Sequence, residues 1–266
     1  MKTALLTLSR EGAVLIEHLV EKIPEAQVFL HDQIEGACSG QRFKSIIKLT
    51  AKIFKDFQGF VYIMPTGVVV RALAPHIQNK KTDPAVVVVD AGGRYVLSLL
   101  SGHEGGANEL ALRVGNILGA EPIITTTTEA LKNIIVGIGC RRGISADRVV
   151  RAVEAALKEN AIPLEQVRYL ASADIKADES GLLEAAERLG LPLRFISSEE
   201  IRSTRKNFEA SPWVRKKVNL PAVAEPTALL AGRRTQLLAK KKSCQGVTVA
   251  LARENFLWSA SVPEDR

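Results

Sequence analysis

Cysteine is scarce and scattered. Cys38, Cys140 and Cys244 stand far apart, and none belongs to a Cys-x-x-Cys pair. A disulfide framework and a cysteine-based zinc site are thereby disfavoured, and a reducing cytoplasm is the expected setting. Long apolar runs are missing as well; none reaches the roughly 18 residues of a membrane-spanning helix. The opening "MKTALLTLSREGAVLIEHL" has a short apolar run, charge directly after it and no small-residue cleavage site, which argues against a secretory leader. Aromatic residues make up only 5% of the chain, few for a protein that stacks on single-stranded nucleic acid. Neither nucleic acid nor membrane is an expected partner.

What is present fits a globular protein of one large or two ordinary domains: 266 residues, 46% apolar and 24% charged. Residues 1–130 hold 13 of the 36 Lys+Arg and 13 of the 29 Asp+Glu, so the whole net charge of +7 falls in 131–266. All four histidines lie in the first part. This asymmetry predicts two domains, 1–130 and 131–266, the second suited to an anionic partner.

The first part alternates strand-like and helix-like segments. "TALLTL", "AQVFL", "GFVYI", "AVVVV" and "RYVLSLL" read as strands, and Glu11–Lys22, Phe43–Phe57 and Gly106–Leu118 as helices. "AVVVV" has the continuous apolar character of a strand buried on both faces. In the second part "NIIVGIGC", "LPLRFI", "TQLLAKKK" and "GVTVALAR" read as strands, Ala146–Lys158, Asp178–Leu189 and Glu225–Ala231 as helices, and Thr204–Pro221 as a long loop. The predicted class is α/β: two domains, each a mainly parallel or mixed sheet covered by helices in three layers.

Two strand-to-helix loops carry the chemistry of the first part, Pro65-Thr66-Gly67 and Ser101–Gly106. In an open parallel sheet such loops share the carboxyl edge, where ligands bind. They are expected to line one pocket, joined by Thr125 and Thr126 of "TTTT". Gly102, Gly105 and Gly106 allow close approach to backbone. The amides of Gly105 and Gly106, near a helix start, can hold an anion or an oxyanion. His103 is the candidate general base, histidine being the side chain most often used for that role near neutrality, with Asn108 and Glu109 in the first helical turn beside it. Structural readings stand alongside: His103 bonding a loop carbonyl, Glu109 pairing with Arg113 at i,i+4, Asn108 capping the helix, Asp83 shaping the turn before Pro84. Arg71 either contacts an anionic ligand or is solvated.

In the second part "GIGCRRG" spaces Gly137, Gly139 and Gly143 one residue more widely than a dinucleotide fingerprint. Arg141 and Arg142, beside a helix start, suit forked binding of carboxylates.

Taken together and in order, "PTGVVVRALAP", "KTDPAVVVVD", "SLLSGHEGGANELA" and "TTTT" resemble the N-terminal domain of the cobalamin biosynthesis protein G family, the cobalt-precorrin-5A hydrolases. "VGIGCRRG", "AVAEPTALLA" and "VTVALAR" resemble its C-terminal domain, which is shared with a small stand-alone protein of the aerobic cobalamin pathway. Many members carry a central region after the threonine run; here Thr128 and Asn133 are nearly adjacent, so the chain is a compact form. The resemblance implies hydrolysis of a cobalt-bearing tetrapyrrole lactone in anaerobic cobalamin biosynthesis, with loss of acetaldehyde to give cobalt-precorrin-5B. It implies His103, Glu109 and Asp83 as proton carriers. Thr66, Gly67, Arg71, Gly102, Gly105, Gly106, Asn108, Thr125, Thr126, Arg141 and Arg142 are implied as substrate contacts. Cobalt arrives with the substrate, so no cofactor or protein metal site is implied. The partner is then an anionic tetrapyrrole; a homodimer and transient contacts with neighbouring pathway enzymes are further expectations. The alternative is a non-catalytic tetrapyrrole-binding or handover protein.

Overall fold

The computed structural model describes residues 1–36 and 39–256. The chain divides into two compact units, 1–126 and 127–266. Cys140 and Cys244 are free thiols, and Cys38 lies outside the described residues. No described helix is long and apolar enough to cross a membrane.

The first unit begins with β1 (Thr3–Thr7), α1 (Arg10–Lys22), β2 (Gln27–His31), β3 (Gln41–Phe43) and α2 (Ile46–Ile53). It continues with β4 (Gly59–Ile63), α3 (Thr66–Leu73), β5 (Ala85–Val89), β6 (Tyr95–Leu100), α4 (Ala107–Leu118) and β7 (Glu121–Ile123). The seven strands form one sheet in the order β3-β2-β1-β4-β5-β6-β7. Strands β3 to β5 are parallel; β6 runs antiparallel to β5, and β7 parallel to β6.

Period-2 side chains explain the layering. Leu5, Val61, Ile63, Val87 and Val89 meet α1 and α4 through Ile16, Leu19, Leu110 and Val114. The opposite face, with Leu6, Phe60, Tyr62 and Val88, meets α2 and α3 through Leu49, Ile53, Val69 and Leu73. Every residue of β4 and β5 is buried, and each large apolar side chain so removed from water contributes about 1.5–3 kcal/mol. Tyr62 is the polar exception; its hydroxyl meets Thr50 Oγ1 at 3.1 Å. Burial raises its pKa to about 12, with the Thr50 hydrogen bond opposing.

The second unit begins with α5 (Thr127–Ala130), followed by β8 (Ile134–Cys140), α6 (Ala146–Glu159), β9 (Val167–Ala173), α7 (Ser180–Leu189) and β10 (Leu193–Ile196). Then come α8 (Ser198–Ser203), α9 (Pro212–Val218), α10 (Ala224–Leu230), β11 (Thr235–Cys244) and β12 (Val247–Glu254). Its sheet order is β10-β9-β8-β12-β11, with β8, β9 and β10 parallel and β11 and β12 antiparallel to their neighbours. Helices α6 and α7 cover one face; α8 and α10 cover the other. Both units are thus three-layer α/β structures with mixed sheets.

Several segments differ from the sequence reading. The Phe43–Phe57 segment is helical only over Ile46–Ile53, because Ser45 caps it by accepting from Lys48 N at 3.4 Å, and Phe43 ends a short edge strand. Thr204–Pro221 is not all loop: Ser211 caps α9, with proline in its first turn. Strand β9, "VRYLASA", escaped the sequence reading altogether.

Candidate active site

The pairing of β6 decides where the two loops of the first unit lie. Strand β4 runs parallel to β5, with Gly59 opposite Ala85 and Ile63 opposite Val89. The loop Pro65-Thr66-Gly67 therefore sits at the carboxyl edge of these strands. Strand β6 runs the other way, with Val86 opposite Leu100 and Val89 opposite Val96. The Ser101–Gly106 loop therefore emerges at the amino edge, roughly 15 Å away along a five-residue strand. Side-chain positions agree. A Cβ on Gly105 would lie 3.4 Å from the Asp83 carbonyl, and one on Gly106 would lie 3.2 Å from Met1 Cε.

The expected single pocket is thus corrected. Thr66, Gly67 and Arg71 do not join His103. Arg71 is exposed, and its Nη1 donates to the Gly67 carbonyl of its own helix at 3.1 Å. The signal was present in "DAGGR": a short turn between two strands is a hairpin, and a hairpin reverses direction.

Thr126 does reach the histidine loop, because β7 runs parallel to β6 and ends at the same edge. Ser98 Oγ donates to Asn108 Oδ1 at 2.8 Å, and Asn108 Nδ2 donates to Thr126 Oγ1 at 3.1 Å. Asn108 is buried; its side chain links β6 to the threonine run rather than capping α4. Thr125 is exposed beside it.

Two of the glycines are spaced for the loop's own packing. A Cβ on Gly102 would fall 2.7 Å from Thr126 Cγ2, and one on Gly105 would fall 2.4 Å from Ser101 Cβ. Gly106 instead supplies a left-handed turn, φ 84°, at the entry to α4. The first two amides of α4 are used internally: Ala107 N donates to Ser101 O at 3.1 Å and Asn108 N to Gly102 O at 2.9 Å. The amides of Gly105 and Gly106 make no hydrogen bond among the described residues, nor do those of Gly102, His103 and Glu104, so they are among the donors this loop can offer.

His103 and Glu109 are exposed, and neither side chain has a hydrogen bond or ion pair among the described residues. Arg113 does not pair with Glu109; it donates to Lys22 O at 3.1 Å and lies 3.7 Å from Glu25. Asp83 is buried, and its Oδ2 accepts from Gln78 N at 2.8 Å and Asn79 N at 2.9 Å. That turn carries Lys80, whose Nζ lies 2.9 Å from Glu104 Oε1. The hydrogen bond from Lys80 holds the Glu104 carboxyl below the usual carboxylate range, with the charges of Lys80, Lys81 and His103 adding to it. The sequence reading missed Lys80, Lys81 and Ser98. "KKTDP" was the available signal for the lysines; Ser98 had none, because only the fold brings it to Asn108.

The "GIGCRRG" glycines of the second unit serve packing. Gly137 and Gly139 lie within β8, and a Cβ on Gly137 would sit 1.9 Å from the Ala224 carbonyl of α10. They cradle a helix rather than a dinucleotide. Gly143 N donates to Glu179 Oε1 at 2.9 Å, and Glu179 is buried against Lys176. Arg142 is engaged by Asp178 and by the Ile175 carbonyl. Arg141 is exposed, its side chain lying along Gly246. Burial raises the Cys140 thiol pKa, against the pull of Lys176 and Arg142, which does not favour a nucleophile. Among the described residues no three His, Cys, Asp or Glu side chains gather as a metal site requires.

Comparison with known proteins adds the family. The model described as "Cobalamin synthesis G N-terminal" matches residues 48–129, and "Cobalamin synthesis G C-terminus" matches 134–252. A protein of Priestia megaterium named cobalt-precorrin-5A hydrolase is 26% identical over 353 residues, covering 94% of this chain and 94% of its own. That alignment is longer than this chain, so the relative holds residues with no counterpart here. One of Salmonella typhimurium, also named cobalt-precorrin-5A hydrolase, is 26% identical over 290 residues, 74% of this chain and 82% of its own. The solved structure of CobE, a protein from the cobalamin (vitamin B12) biosynthetic pathway, is 32% identical over 46% of this chain and 94% of its own, with a TM-score of 0.44.

Proposed function

Because this chain belongs to the cobalamin synthesis G family, we propose that it hydrolyses cobalt-precorrin-5A, opening its lactone and releasing acetaldehyde to give cobalt-precorrin-5B. The names of the two full-length relatives support the substrate. The observation that carries the chemistry is the Ser101–Gly106 loop, which combines an uncommitted imidazole with two uncommitted amides.

His103 takes a proton from water as it adds to the lactone carbonyl. The amides of Gly105 and Gly106 receive the oxyanion. When the tetrahedral carbon collapses, the ring C–O bond breaks and the ring oxygen takes the proton that His103 holds, leaving as a hydroxyl. That hydroxyl then loses its proton while the carbon–carbon bond to the macrocycle breaks; the bonding pair stays on the macrocycle and acetaldehyde departs. Glu109, exposed in the first turn of α4, is assigned this second proton. Asp83, buried with Oδ2 holding the 78–79 amides, is not. Lys80, Lys81 and Thr125 are assigned to substrate carboxylates at the same edge.

Incubation with cobalt-precorrin-5A, scored for acetaldehyde and for the matching mass loss, tests the reading. Turnover supports it. Tight binding without turnover would instead favour a tetrapyrrole handover protein, the reading that the missing internal segment supports.

A further inference from the structure

Ser101 carries two structural penalties that the residue beside it, a glycine, would avoid. Its backbone is left-handed, φ 58°, a region that side chains with a Cβ rarely occupy. Its side chain is buried, at 6% exposure, and among the described residues its Oγ is the one buried side-chain polar atom with no hydrogen-bond partner. Neighbouring polar groups are satisfied: Ser98 and Thr126 both bond to Asn108. The shortage is therefore specific to Ser101 and not a property of a poorly paired loop. Strain of this kind persists where function requires it.

The position says what the hydroxyl serves. Ser101 ends β6, and its Cβ lies directly beneath Gly105, close enough that a Cβ there would be 2.4 Å away. Among the described residues the amides of Gly105 and Gly106 have no acceptor, as is also true of Gly102, His103 and Glu104, and Gly105 and Gly106 are the two nearest the helix. The Ser101 hydroxyl and the Gly105 and Gly106 amides, all without acceptors, thus belong to the short loop that enters a 12-residue helix, whose dipole favours negative charge. The loop above Ser101 is tethered from outside by the exposed pair Lys80–Glu104, a kind of contact that contributes little and exchanges readily with an anionic ligand.

We infer that Ser101 is a further substrate-contacting residue, its hydroxyl joining the Gly105 and Gly106 amides as the third donor to the carbonyl oxygen that becomes the oxyanion. This rests on the reading of 101–106 as the lactone-opening loop. The hydroxyl acts as a donor only and forms no covalent bond.

The test compares Ser101→Gly and Ser101→Ala with the parent enzyme. Ser101→Gly removes the hydroxyl and relieves the backbone; Ser101→Ala removes the hydroxyl and keeps the Cβ. Both are expected to lower kcat for acetaldehyde release about 100-fold with KM changed less than about threefold, while the glycine variant melts at or above the parent temperature. Parent kcat in both variants would overturn the inference and leave Ser101 a structural residue. If the parent itself releases no acetaldehyde, the hydrolase reading fails separately. The inference is then read from the amide resonances of Gly105 and Gly106 on addition of cobalt-precorrin-5A. A shift in the parent that is lost in Ser101→Gly supports it; equal shifts in both, or none in the parent, overturn it.

Discussion

Asn108 shows how one side chain can hold an edge of a sheet together. It accepts from Ser98 and donates to Thr126, out of reach of solvent. Asn108→Ala leaves a buried hydroxyl without its acceptor, and a cost of about 1–3 kcal/mol is expected in denaturant unfolding, with the m-value unchanged. His103 is the opposite case. Its exposed imidazole holds nothing in place, so His103→Ala should leave stability within about 0.5 kcal/mol. It should also lower acetaldehyde release by about 10²–10⁴-fold; release at the parent rate would remove the general-base role. Sequence pointed to His103 because a histidine between glycines is unusual. It gave no hint of Ser98 or Ser101, because burial and a positive φ are properties of a folded loop, not of a residue type.

At the level of elements, the β5–β6 turn is organised by Asp90. Its Oδ1 accepts from Tyr95 N at 2.7 Å and Arg94 N at 2.9 Å, and its Oδ2 accepts from Gly92 N at 3.1 Å. Burial pushes the carboxyl up, but these amide bonds outweigh it and the net pKa is lowered. The sign follows directly: the carboxylate's contribution is complete above the unfolded value of about 3.9 and is lost as pH falls through the lower folded value. Melting curves of Asp90→Asn and the parent should therefore differ most near neutrality and converge in acid. Strand β8 offers a steric test. Gly137→Ala drives a Cβ against the Ala224 backbone, so α10 must move, and a loss of about 1–3 kcal/mol or more is expected in thermal or denaturant unfolding. Strand and helix identities were legible in much of this chain through periodicity. The direction of β6 was not, because the two faces of a strand look alike whichever way it runs; only the short turn before it carried that information.

At the level of the whole molecule, each unit owns a complete set of layers. Both core clusters of the first sheet draw on residues before 127, and both clusters of the second on residues after it. Fragments 1–126 and 127–266 are accordingly expected to fold separately, each with its own cooperative transition by calorimetry; a fragment without a transition would show that its layers are not self-sufficient. The charge asymmetry follows this division closely: 127–266 hold 23 Lys+Arg against 17 Asp+Glu, +6 of the net +7.

The sequence by itself determined the class of the two units and the family, because apolar periodicity records which faces are buried, and seven short motifs in one order record descent. Tertiary structure alone decided which motifs meet. "PTG" and "SGHEGG" each follow a strand and precede a helix, yet one antiparallel pairing sends them to opposite edges. "KKTDP", "SGHEGG" and Thr126, far apart in the chain, converge instead through the Lys80–Glu104 pair and the Asn108–Thr126 bond. Strand order and direction are set by hydrogen bonds between backbones, and outside the short turn that joins β5 to β6 no local pattern of side chains encodes those.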